Sequence, residues 1–178
     1  MTRAEARVEP GGTLGVFGGG QLGRMFGIAA RQMGYRFAVY SDGAGGPASQ
    51  IADVSVQGAY DDEEAVISFA RQVDAVTFEF ENVPAIAGAT AAQHTLVRPD
   101  GSLLHTVQDR TREKRGLGRI GLPVAPFHAI ASAADLEPAR EQIPGAGVLK
   151  TSSFGYDGKG QARIGDGSEL AAAWTSLG

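Results

Sequence analysis

Gly18-Gly19-Gly20-Gln21-Leu22-Gly23 sits between a short apolar run, Thr13–Phe17, and the helix-like stretch Arg24–Met33. This order of strand, glycine turn and helix constrains the fold more than any other stretch. A strand that passes straight into a helix returns to pair in parallel with the next strand, and the pattern repeats along the chain. Gly34 closes the first helix as the residue beyond its C-cap. A second strand is expected at Arg36–Ser41 and a third near Ile51–Val56. A helix starts around Asp61 and ends near Val73, with Asp61 as its cap. A strand over Ala75–Phe80, a short helix over Pro84–Gln93 and a short strand over Thr95–Val97 complete the series. The expected fold class is α/β, a Rossmann-like parallel sheet with helices on both faces.

The first turn also matches G-x-G-x-x-G, and Asp42 follows about 20 residues on, after the second strand. In form this is a dinucleotide-binding pattern, and it opens the reading of an NAD-dependent oxidoreductase. Many other α/β turns have the same form.

The strand over Ala75–Phe80 runs into Glu79-Phe80-Glu81-Asn82-Val83-Pro84. Ligands of open α/β sheets gather at the carboxyl ends of strands. Alternation puts Thr77, Glu79 and Glu81 on one side. Carboxylates there need partners. Each either contacts an amine or hydroxyl of a ligand or is a hydrogen-bonded structural group.

A second constellation lies at Val148–Gln161, V-L-K-T-S-S-F-G-Y-D-G-K-G-Q. A short apolar strand ends on Lys150. Gly155, Gly158 and Gly160 follow, interleaved with Tyr156, Asp157 and Lys159. Such a loop turns backbone N–H groups toward an anion, and the two lysines add compact positive charge. Phosphate is the expected guest, although the spacing is not that of a P-loop. The loop is polar and has little to bury, so Ser152–Gly158 is expected to be mobile without nucleotide. A return strand over Gln161–Ile164 makes it a hairpin, and a last helix begins at Ser168.

Between the two regions, Ser102–Arg115 is helical in pattern and carries Gln108-Asp109-Arg110 and Lys114. A two-proline linker, 121–127, leads to an expected strand over Phe127–Ile130, and a helix over Ser132–Gln142 contains Pro138. The expected organisation is a tail over 1–12, a first domain over 13–120 and a second over 121–178.

The composition removes several classes of function. The absence of cysteine excludes disulfides, cysteine-zinc sites and thiol catalysis. His94, His105 and His128 lack metal-ligand spacing, so no metal site is expected among these residues. A net charge of -4 leaves no electrostatic footprint for nucleic acid. No apolar window of about 18 residues is present, and the charged first ten residues are not expected to act as a signal peptide. A soluble cytoplasmic protein without membrane or nucleic-acid partners is expected.

Four motifs now stand in order: G-G-G-Q-L-G-R-M (18–25), T-F-E-F-E-N-V-P (77–84), Q-D-R-x-x-E-K (108–114) and V-L-K-T-x-x-x-G-Y-D-G-K-G-Q (148–161). Together they resemble the N5-carboxyaminoimidazole ribonucleotide synthetase family, ATP-grasp ligases of purine biosynthesis. The likeness runs over nearly all of the chain from residue 13. Gln21 and F-E-N-V-P separate it from the sister formate-dependent glycinamide ribonucleotide transformylase.

The resemblance implies a preATP-grasp domain followed by part of an ATP-grasp domain. It implies ATP- and bicarbonate-dependent carboxylation of 5-aminoimidazole ribonucleotide through carboxyphosphate. Arg110, Lys150, Gly155, Tyr156, Asp157, Gly158, Lys159, Gly160 and Gln161 would hold the nucleotide. Gly20, Gln21, Leu22 and Glu81, with Tyr156, Asp157 and Lys159, would contact the ribonucleotide, and Asp157 and Lys159 would be the catalytic pair. ATP and Mg2+ are the implied cofactors, with metal ligands in a C-terminal part of the family that follows these residues. The resemblance also implies a homodimer at full length. On this expectation the chain is the N-terminal part of such an enzyme and is inactive alone. Gly43 stands where family members commonly have proline, which changes local stiffness.

Overall fold

The computed structural model describes residues 7–153, 155 and 159–177. The chain divides between His105 and Thr106 into two compact units.

The first unit is a five-stranded sheet: β1 (Thr13–Phe17), β2 (Arg36–Ser41), β3 (Val54–Gln57), β4 (Ala75–Phe78) and β5 (Leu96–Val97). Every pair is parallel and the order is β3-β2-β1-β4-β5. The chain winds outward from β1 to β3, then crosses back to β4 on the other side of β1. The carboxyl ends of β1 and β4 therefore flank the point where the winding reverses, where open sheets hold ligands.

Helix α1 (Gln21–Gln32) covers one face through Phe26 and Ala30, near Val16, Phe37 and Val39. Helices α2 (Glu63–Ala70) and α3 (Ala85–Ala91) cover the other face. Phe17 is at the centre of that second layer. Its ring lies 5.5 Å from Tyr40, 5.6 Å from Phe69 and 5.8 Å from Phe78, centroid to centroid. The neighbouring Gly15 is required by this packing, because a Cβ there would come within 3.0 Å of the Phe69 ring. Helices thus lie on both faces, as expected for the α/β class.

Several local expectations shift. Asp62, not Asp61, caps α2, its carboxylate accepting the Ala65 N–H at 3.0 Å. The third strand starts later, at Val54, because Ser49–Ile51 forms a single 3-10 turn. Within the expected tail, Val8–Gly12 are tied down: Tyr35 Oη donates to the Val8 carbonyl, and the Gly11 N–H donates to the Gly34 carbonyl. The single helix expected over 102–115 is two helices, α4 (Gly101–Val107) and α5 (Arg110–Arg119). Asp109 breaks it by capping α5, accepting the Arg112 N–H at 2.7 Å.

The second unit contains α5, α6 (Leu136–Gln142), an antiparallel hairpin of β6 (Gly147–Lys150) and β7 (Gln161–Ile164), and α7 (Leu170–Leu177). Pro138 lies in the first turn of α6, where a missing N–H costs nothing. The strand expected over 127–130 does not form a ladder among the described residues. That stretch is fixed instead by His128, whose Nδ1 lies 2.6 Å from Gln142 Oε1, and by Phe127, whose ring lies under the Lys114 ammonium. The two-proline linker runs inside this unit.

Candidate functional site

In the first unit the glycine turn leaves β1 and meets the residue that leaves β4. Gly18 has φ of +122°, a conformation suited to glycine, and its N–H donates to the Tyr40 carbonyl. The Glu79 N–H continues the ladder to the Phe17 carbonyl at 2.9 Å. Its carboxylate then accepts the Gly20 N–H at 2.6 Å and the Leu22 N–H at 3.1 Å. These are two of the free donors at the start of α1, which has no capping side chain of its own. A Cβ on Gly19 would press to 2.9 Å from Ser41 Cβ, so the end of β2 lies against the same turn. The Ala48 N–H donates to the Gly19 carbonyl at 3.0 Å and anchors the 43–48 loop on it.

Tyr60 is a group at this site that the sequence did not single out. It is buried, its ring 5.7 Å from that of Tyr40. Burial pushes its phenol well above the usual tyrosine range, and the carboxylates of Asp42 and Glu79 add to this; the Asp42 N–H donates to its oxygen. Its proximity to Asp42 and Glu79 places it by the same strand ends. Gln21 and Leu22 are exposed at the start of α1, and Glu81 is exposed just after β4. The turn 18–23 and the segment 79–82 thus share the carboxyl end of adjacent strands.

In the second unit, β6 and β7 pair Lys150 with Gln161, and the Thr151 N–H donates to the Gly160 carbonyl at 2.8 Å. Gly160 has φ of +65°, and a Cβ there would meet Thr151 Oγ1 at 2.5 Å. Arg110, first residue of α5, is drawn to this hairpin. Its N–H donates to the Ser152 carbonyl at 2.9 Å, and Nη2 donates to the Gly155 carbonyl at 3.3 Å. The structure therefore brings Arg110, Gly155 and Gly160 together around the mouth of the hairpin that carries Lys150, Lys159 and Gln161. The expected site residues Tyr156, Asp157 and Gly158 lie outside the described residues. No group of three or more His, Asp or Glu able to hold a metal occurs among the described residues.

The fold and these two constellations have counterparts among known proteins. Residues 12–108 match the ribonucleotide synthetase preATP-grasp domain, and residues 116–178 match the ATP-grasp domain. The class is thus that of ATP-grasp proteins. More narrowly, the chain belongs to the ribonucleotide synthetase preATP-grasp family, whose domain is the first of the two that the resemblance implied.

It is 41% identical over 165 residues to the N5-carboxyaminoimidazole ribonucleotide synthase of Brucella melitensis, covering 93% of this chain and 46% of that protein. The corresponding protein of Bacillus subtilis is 36% identical, with 93% and 44% covered. Among solved structures, N5-carboxyaminoimidazole synthetase from Staphylococcus aureus complexed with ADP superposes with a TM-score of 0.88 at 32% identity, covering 96% of this chain and 46% of that one. The Aspergillus clavatus synthase, in complex with ADP and 5-aminoimidazole ribonucleotide, gives 0.79 at 27% identity, with 94% and 44% covered. The chain spans less than half the length of these relatives.

Proposed function

We propose that this chain serves the ATP- and bicarbonate-dependent carboxylation of 5-aminoimidazole ribonucleotide, as a ligase of purine biosynthesis. The observation that carries this reading is the double tether of Arg110 to the Ser152 and Gly155 carbonyls. It gathers a guanidinium at a lysine-bearing, glycine-rich hairpin, in a chain whose relatives are named as that synthase. Arg110, Lys150, Gly155, Lys159, Gly160 and Gln161 would hold the nucleotide, with Tyr156, Asp157 and Gly158 added from the same motif. The residue types suit a polyphosphate: an arginine tethered to a glycine-rich hairpin that carries two lysines. ATP, when bound, supplies the phosphoryl group that activates bicarbonate.

Gly20, Gln21, Leu22 and Glu81 would contact the ribonucleotide in the first unit, and the motif likeness also proposes Tyr156, Asp157 and Lys159 as ribonucleotide contacts. Asp157 and Lys159 would be the catalytic pair. Magnesium belongs to this reading as a companion of ATP, but the described residues do not offer it a ligand set, so none is assigned. The same reading places the protein in the cytoplasm as a homodimer. Among the described residues no helix is long and apolar enough to cross a membrane.

Ligand-induced stabilisation tests the proposal, since a ligand that binds only the native state raises the melting temperature. 5-Aminoimidazole ribonucleotide is expected to raise it and NADH to leave it unchanged. A rise with NADH and none with the ribonucleotide would overturn the assignment in favour of an oxidoreductase.

A further inference from the structure

Glu79 reaches from the end of β4 to the start of α1 and does there what a bound phosphate does in dinucleotide-binding turns of the same form. Its two oxygens take the Gly20 and Leu22 N–H groups. Its side chain also lies against three of the four glycines of the turn. A Cβ on Gly18 would stand 2.5 Å from Glu79 Oε2, one on Gly20 would overlap Oε1, and one on Gly23 would lie 3.3 Å from Oε2. Glycines in such a turn ordinarily leave room for a phosphate to approach the backbone. Here that room is filled from within. A second anion at the same N–H groups would stand against a carboxylate, and the positive end of the α1 dipole is already neutralised.

We infer that Glu79 is an internal counter-anion: a positioning residue that fixes the backbone of Gly20–Leu22 and keeps phosphate out of the glycine turn. The exposed side chains of Gln21 and Leu22 are then presented by a turn that accepts an uncharged or donor-bearing part of a ligand, while any ligand phosphate is held elsewhere. This role is independent of which ribonucleotide chemistry the chain serves. It also accounts for a dinucleotide-like pattern in a protein of another family.

The test is a titration of the 178-residue chain, and of its Glu79→Ala and Glu79→Gln variants, with inorganic pyrophosphate, followed through the amide resonances of Gly20 and Leu22. In the wild type these two amides are expected to stay in place. In Glu79→Ala they are expected to shift saturably, as the vacated N–H groups take up the added anion. Glu79→Gln keeps the side-chain shape and removes the charge, and it is expected to show a weaker saturable shift of the same two amides. Saturable movement in the wild type would overturn the exclusion of phosphate. A folded Glu79→Ala without any response would overturn the counter-anion role. If Glu79→Ala fails to fold, Glu79→Gln decides: a gained response supports the inference and none overturns it.

Discussion

Arg110 donates its guanidinium Nη2 to the Gly155 carbonyl at 3.3 Å while its backbone N–H donates to the Ser152 carbonyl at 2.9 Å. One bond depends on the side chain and the other does not. Arg110→Ala is therefore expected to leave the start of α5 attached to the hairpin and to release only Gly155. In the full-length enzyme the same guanidinium would also face ATP phosphate, and because hydrogen bonds to charged groups contribute about 1.5–3 kcal/mol, ATP affinity there is expected to fall roughly tenfold or more. In the full-length enzyme, Lys150→Ala is expected to weaken ATP binding by a similar factor. Calorimetric titration with ATP measures both, and an unchanged affinity in Lys150→Ala would remove lysine from the phosphate assignment.

The two constellations were legible to different degrees. The glycine turn, the alternation of strands and helices and the lysine hairpin are local patterns, set by backbone conformation and hydrophobic period, and they can be read from adjacent residues. The meeting of Glu79 with Gly20 spans 59 positions and depends on β1 and β4 lying side by side. Alternation identified Glu79 as a carboxylate in need of a partner, but only the strand order supplies that partner. Tyr60 was invisible for a related reason. It sits on a loop between β3 and α2, and its burial against Phe17 and Tyr40 is a product of tertiary packing. The choice between Asp61 and Asp62 as helix cap turns on one residue of phase, which composition does not resolve.

Gly27 is the glycine of α1 that meets the sheet. A Cβ there would stand 2.5 Å from the Phe37 ring, and Phe37 is fully buried. The helical propensity of alanine favours the substitution by about 1 kcal/mol, but the ring has no free space into which to retreat. Overpacking of this kind costs about 1–3 kcal/mol. Gly27→Ala is expected to lower stability on balance, whereas Gly118→Ala in α5, with nothing within 4 Å of the added Cβ, is expected to raise it. Urea unfolding of the two variants compares them directly, and a stabilised Gly27→Ala would contradict the packing seen here.

Asp53 couples the start of β2 to α1. Its carboxylate accepts the Phe37 N–H at 2.8 Å and the Arg31 guanidinium at 2.7 Å. The backbone bond, above all, holds its pKa below the ordinary aspartate value, with Arg31 assisting. A folded-state pKa below the unfolded one stabilises at every pH above the unfolded value, near about 3.9. That contribution disappears as pH falls through the folded value. Asp53→Asn is expected to be less stable than wild type near neutrality and to converge with it in acid. Equal acid sensitivity of the two proteins, followed by circular dichroism from pH 7 downward, would show that Asp53 is not the group responsible.

Tyr60 gives the opposite dependence at the alkaline end. Burial, then the Asp42 and Glu79 carboxylates, raise its pKa in the folded state. Tyr40, whose hydroxyl donates to the Ala59 carbonyl at 2.7 Å, is raised too, by burial first and then by Asp62 and Asp61. A raised phenol means that the unfolded chain loses its proton first, near about pH 10. Above that pH the native state binds more protons than the unfolded one, so stability falls as pH rises. The limiting slope is about 1.4 kcal/mol per pH unit for each tyrosine. Below about pH 10 both states are protonated and the contribution is constant. Tyr60→Phe keeps the ring against Phe17 and Tyr40 while removing the titrating group, at a neutral-pH cost of about 1 kcal/mol for the lost hydroxyl. Its alkaline slope is expected to be shallower than that of the wild type, with Tyr40 still contributing in the same direction. Urea unfolding at intervals between about pH 8 and pH 11 reads the slope. Parallel curves for wild type and Tyr60→Phe would mean that the Tyr60 phenol already titrates as an exposed group, and its place beside Glu79 would then have to be withdrawn.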